Sequence, residues 1–147
     1  MRILKDGRVG AFGVAGGALL LIGKIVFLLK IGDGQLFGVL LVVPSLARLM
    51  VLAMCVLSRR PAGEGLGAIF VKYTKLRTLI PAAVFFLVPS FYLVPAAELL
   101  IVTTLALSIA GLLVLASHKK IGGVNGDVFG ACVEITEWMS LFAFSAL

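Results

Sequence analysis

Three carboxylates, Asp127, Glu134 and Glu137, open a final segment that is otherwise apolar enough to enter a membrane; they lie within GGVNGDVFGACVEITE, Gly122 to Glu137. Each charged group placed in a bilayer costs on the order of 2.5–3.5 kcal/mol on insertion scales, so intramembrane acids are functional candidates by default. On a helix, Asp127 and Glu134 project from nearly the same face, and Glu137 lies close beside Glu134. Such a face can bind a divalent cation through oxygen, bind a cationic ligand group, or act as a general base. It can also pair with basic residues elsewhere and hold helices together. Gly122, Gly123, Gly126 and Gly130 precede or open the helix, where backbone N–H groups at the positive end of its dipole can receive a phosphate. The spacing of Gly126 and Gly130, like that of Gly13 and Gly17, also predicts close helix packing.

Two further segments mix cations with glycines. In RRPAGEGLGAIF, Arg59 to Phe70, Arg59 or Arg60 suits a phosphate clamp and Glu64 a ligand contact. The plainer reading is a basic loop with turn residues. KDGRVGAFG, Lys5 to Gly13, is of the same kind and contributes Arg8. Arg48 falls in mid-helix and must point into the bundle toward an acid, with Glu134 or Glu137 as candidates. Lys24 lies nearer the outer end of its helix and can reach the interface by snorkelling. His118, beside Lys119 and Lys120, reads as an interfacial loop residue. The sequence has no Ser–His–Asp set, CxxC pair, HExxH or Walker loop, so any catalysis must use carboxylates and cations, with or without a metal.

The elements that must position these groups are membrane helices. Of the 147 residues, 61% are hydrophobic, against about 45–50% in soluble domains, and the mean hydropathy is +1.18. Five apolar stretches run from Ala11 to Leu29, Leu36 to Leu57, Thr78 to Val94, Leu99 to Ala116 and Val128 to Leu147. Each approaches the roughly 20 residues a helix needs to cross hydrocarbon. Pro81, Pro89 and Pro95 interrupt the third, which is kept as a kinked span. The basic N-terminus is followed by too long an apolar run for a signal peptide, and a retained first span is expected. The net charge of +6 resides in short clusters between spans, which argues against nucleic-acid binding. Ten basic residues flank the spans on one side and Lys30 alone on the other. The N-terminus and the two long loops are thereby expected in the cytoplasm. Cys55 and Cys132 read as small buried hydrophobes, with no disulfide or zinc pattern.

Taken in order, these segments resemble the C-terminal part of the cobalamin synthase (adenosylcobinamide-GDP ribazoletransferase) family. That family has a KDGRVGAFG-like segment before a helix containing a lysine, here Lys24. It has an arginine in the next helix, here Arg48, an EGLG loop, here Glu64 to Gly67, and a GGxTGDxxGAxxExxE segment, here Gly122 to Glu137. The resemblance covers nearly the whole chain. Asn125 stands where the family usually has Thr, and Gly7 where it usually has Ser. The resemblance implies transfer of α-ribazole, or its phosphate, to adenosylcobinamide-GDP with release of GMP, and a requirement for Mg²⁺. The family's upstream acidic segment, of the DGLADTxDG type, has no match here. The chain is therefore expected to be a fragment, a split-gene half or an internal-start product, inactive alone, with a separate N-terminal half as a partner.

The expectation from sequence is an all-α, polytopic integral membrane protein: one bundle of about five transmembrane helices over residues 1–147, multi-pass in the bilayer of a bacterial or archaeal inner membrane. Asp127, Glu134 and Glu137 are the expected catalytic or metal contacts, with Asp127 the metal ligand. Arg8, Arg48, Arg59, Arg60, Glu64, Gly122, Gly123 and Gly126 are the expected substrate contacts. The rival readings are a small transporter or channel subunit, with Arg48 and the acids as an ion path, and a scaffold packing against a separately encoded half.

Overall fold

A computed structural model describes residues 11–147, leaving aside the side chain of Ala11. They form six helices: α1 (Ala11–Lys30), α2 (Asp33–Ser58), α3 (Leu66–Tyr73), α4 (Leu76–Leu93), α5 (Ala96–Ile121) and α6 (Gly126–Ala146). Five of these, all but α3, are long and apolar enough to cross a membrane, and the chain is a multi-pass membrane protein. The expected spans are recovered, with helix ends extended by a few residues. At 26 residues each, α2 and α5 are roughly 39 Å long. They therefore outrun a hydrocarbon core of about 30 Å and carry polar end residues such as Lys119 and Lys120 into the headgroup region. Pro81 and Pro89 lie inside α4, while Pro95 caps the start of α5, where a missing N–H costs nothing.

One element differs from the sequence reading. Leu66–Tyr73, expected as loop, forms the short helix α3. Its apolar side buries Val71 against the bundle, a tertiary contact that eight residues need to stay helical.

α2 is the central helix and packs on α3, α4, α5 and α6, whereas α1 rests on α6. The seam of α2 buries Val39, Val42, Val43, Leu46, Ala47, Met50, Ala53 and Met54. It meets Val102, Ala106 and Ala110 of α5, and the two alanines are small enough to let membrane helices approach closely. Large apolar side chains such as Phe12, Leu19, Phe85, Leu112 and Leu115 cover the outside. That arrangement suits lipid, since acyl chains solvate them as well as a core would. α1 is pinned to α6 by Phe27, whose ring centroid lies 4.9 Å from that of Trp138 and 5.4 Å from that of Phe142.

The packing expected at the paired glycines is not found. Cβ atoms at Gly17, Gly126 and Gly130 would meet open space, so these positions do not bring helices into close contact. The tight glycine approaches are instead Gly67 of α3 against the Gly126 backbone and Gly23 of α1 against Trp138 of α6.

Candidate functional site

The two glycine-rich segments meet at one end of the bundle. α2 ends at Ser58, and Arg59 turns the chain in the left-handed region (φ 50°) while donating its N–H to the Cys55 carbonyl. α5 ends at Gly122, also left-handed (φ 80°), a conformation glycine adopts without steric cost. The two segments then run side by side as a single parallel bridge between Pro61 and Val124. Ala62 N–H donates to the Val124 carbonyl at 2.8 Å, and Val124 N–H donates to the Arg60 carbonyl at 3.0 Å. Gly123 lies so close to the backbone of Arg60–Ala62 that a Cβ there would collide with it. Its role is this close approach of two backbones.

A side-chain link lies beneath the bridge. The Ser58 hydroxyl is 2.7 Å from His118 Nε2 and donates to the Arg60 carbonyl at 3.0 Å. A hydroxyl has one proton, so with that proton on the carbonyl the imidazole Nε2 is the donor to Ser58. His118 is thus the last-turn residue of α5 that ties α5 to α2, and not a loop residue. No local signal in the sequence marks two residues sixty positions apart as partners.

Asn125 caps α6, its side-chain oxygen accepting the Val128 N–H at 3.1 Å. Asn and Thr are both good N-cap residues, so a threonine at this position would cap α6 in the same way. Asp127 follows in the first turn, where the helix dipole favours an anion. It is exposed and borders a cavity of about 290 Å³ with Ser117 and Lys120. Glu64 is exposed on the facing loop and lines a second cavity, about 560 Å³, with Arg59, Lys72 and Tyr73. Arg59 and Arg60 are exposed and make no salt bridge among the described residues. The loop end thus gathers Arg59, Arg60, Glu64, Gly122, Gly123, Gly126 and Asp127. Arg8 lies outside the described residues.

Glu134 and Glu137 are engaged elsewhere. Asp127 and Glu134 share a face but are roughly 10 Å apart along the axis. Lys24 does not snorkel: its ammonium lies 2.7 Å from both Glu134 Oε2 and Glu137 Oε2. The other Glu137 oxygen accepts Arg48 Nη1, as the mid-helix position of Arg48 requires. Both oxygens of Glu137 are therefore occupied by cations, and the cluster, two acids against two bases, is neutral. Such pairing is what intramembrane ionisable groups need. Among the described residues no three His, Cys, Asp or Glu side chains gather closely enough to hold a metal ion. The loop end contributes two carboxylates, Asp127 and Glu64, which border separate cavities, fewer than an all-protein magnesium site needs.

The family model described as cobalamin-5-phosphate synthase matches residues 1–145. An adenosylcobinamide-GDP ribazoletransferase of Caldanaerobacter subterraneus subsp. tengcongensis is 34% identical over 148 residues, covering all of this chain and 60% of the relative. Proteins of the same name from Thermoanaerobacter sp. and Clostridium tetani are 29% and 26% identical, with 58% of each relative covered. The chain thus spans about 60% of the length of these relatives. No solved structure matches it.

Proposed function

The chain belongs to the cobalamin-5-phosphate synthase family, and from that premise we propose that it forms part of a ribazoletransferase site of cobalamin biosynthesis. In this reading an oxygen of α-ribazole, or of its phosphate, bonds to the corrinoid-side phosphorus of adenosylcobinamide-GDP. The bond from that phosphorus to GMP breaks, and GMP leaves. Displacement at phosphorus needs positioning and charge neutralisation more than a protein nucleophile.

The observation that carries the reading is the Pro61–Val124 bridge, which puts the arginine loop and the glycine-rich start of α6 on one surface. Arg59 and Arg60 then bind diphosphate oxygens. Glu64 orients the ribazole or the nucleotide, and the N–H groups of Gly123 and Gly126 receive a phosphate, that of Gly122 being held by the His118 carbonyl. Mg²⁺, when bound, would neutralise phosphate charge, and Asp127 would be the residue of this chain to hold it, as magnesium commonly uses only one or two carboxylates. Glu134 and Glu137 act as positioning residues, holding α6 against α1 and α2 through Lys24 and Arg48. Arg48, roughly 15 Å along α2 from the loop end, stays clear of the phosphates. The loop end faces the cytoplasm of the cell's inner membrane, as the basic loops direct.

The test is GMP release from adenosylcobinamide-GDP and α-ribazole by this chain joined to the unmatched portion of the Caldanaerobacter relative. Turnover is expected from the joined protein, none from the 147 residues alone, and none from joined Asp127→Asn that still inserts normally. A joined Asp127→Asn protein with full turnover would make Asp127 structural, and inactivity of the joined parent would reject the reaction.

A further inference from the structure

Arg48 presents a polar demand that the described residues do not meet. Its side chain is 62% exposed, yet its position in α2, roughly 15 Å from one end and 22 Å from the other, is at hydrocarbon depth. Nη1 donates to Glu137 and, at 3.2 Å, to the Pro44 carbonyl. A guanidinium has five N–H donors, and those on Nη2 and Nε make no hydrogen bond among the described residues.

Arg48 borders a groove of about 630 Å³ between α2 and α4, lined by Leu41, Pro44, Leu49, Phe85 and Pro89. The two serines in its wall are already satisfied, Ser45 by the Leu41 carbonyl and Ser90 by the Phe86 carbonyl, each at 2.7 Å. The groove is therefore apolar apart from one preorganised cation with donors to spare. A lipid acyl chain fills such a groove but leaves the guanidinium unmet, at a cost of kilocalories. A second copy packed by two-fold symmetry would set the same patch against itself, bringing Arg48 toward Arg48.

A third occupant fits both features. The match covers 60% of the Caldanaerobacter relative, so on the order of 100 of its residues lie outside it, enough for several spans of about 20 residues. We infer that the α2–α4 groove is the docking site of a membrane-spanning helix from that unmatched portion, one carrying an oxygen acceptor at the depth of Arg48. The inference rests on the family reading. It adds the face of the bundle that the remaining helices cover and the residue that sets their register, since a single intramembrane hydrogen-bonding group is enough to fix which turn of a helix sits opposite.

The experiment places the photo-reactive residue p-benzoylphenylalanine at Ser45 in the joined protein described above, with a second variant carrying it at Leu112 on the exposed face of α5. Irradiation in membranes should link position 45 to an apolar stretch of the unmatched portion, with position 112 giving little of that product. Arg48→Leu should lower the position-45 product at least threefold, and Arg48→Lys, which keeps a donor, should give an intermediate yield. Adducts at position 45 to lipid alone or to a second copy would overturn the proposal, as would a yield indifferent to Arg48→Leu. GMP release is read separately. Turnover without the position-45 link rejects only the docking site, and the link without turnover rejects only the reaction.

Discussion

Lys24 Nζ and Glu137 Oε2 lie 2.7 Å apart across 113 positions of sequence, and both side chains are only 15% exposed. α1 has α6 as its main neighbour, so this contact, the Lys24–Glu134 bond and the Phe27–Trp138–Phe142 cluster are what hold the first span in place. They also fix the rotation of α6, and with it the direction in which Asp127 projects at the loop end.

Lys24→Met should therefore loosen α1. Removing one member of a fully buried ion pair costs roughly 3–5 kcal/mol because the other charge is stranded. Here Arg48 still serves Glu137, and Glu134 is 51% exposed, so a loss of about 2 kcal/mol is expected. The double variant Lys24→Met/Glu134→Gln removes the stranded acid and should recover more than half of that. Reversible unfolding in mixed detergent micelles measures both. A double variant no more stable than the single would show that the pair contributes little beyond packing.

Ser58 and His118 supply a second check, at the loop end. A hydrogen bond of this kind contributes about 1 kcal/mol net. His118→Ala should cost about that much, and Ser58→Ala more, because it also removes the bond to the Arg60 carbonyl. Combined, they should cost little more than Ser58→Ala alone, because both remove the Ser58–His118 link. Strict additivity in the unfolding measurement would mean that the two residues act separately and that the ends of α2 and α5 are held by the backbone bridge.

The five spans, and the pairing of Arg48 with an acid of α6, were legible because hydrophobic runs and a mid-membrane charge leave few alternatives. α3 was not, since eight residues are too few to hold a helix alone and fold only against a surface that the sequence does not display. The same holds for the Ser58–His118 bond and the Pro61–Val124 bridge, which depend on how α2 and α5 end beside each other. Lys24 was ambiguous for a different reason: its stem is long enough either to snorkel or to reach inward, and only the position of α6 decides. The carboxylates Asp127, Glu134 and Glu137 share a helix face, as their spacing required. Yet the cations of α1 and α2 divide them into an acid at the loop end that makes no ion pair among the described residues and a paired set deeper in the bundle.

Arg59 separates stability from function most directly. It is the one non-glycine residue with positive φ among the described residues, and it occupies the helix-end position where glycine is the usual choice. Left-handed backbone costs a β-carbon-bearing residue about 1 kcal/mol, and strain of this kind collects at functional sites. Arg59→Gly should thus leave the bundle as stable or up to about 1 kcal/mol more stable, since relief of strain is partly offset by the greater freedom of glycine in the unfolded chain. If Arg59 is kept for phosphate binding, the same substitution in the joined protein should raise KM for adenosylcobinamide-GDP at least tenfold, consistent with loss of a charge-assisted contact of about 1.5–3 kcal/mol. Arg59→Lys should restore part of the affinity at the original stability. An Arg59→Gly protein with unaltered KM would assign the phosphate contacts to Arg60 and leave the strain at position 59 without a functional return.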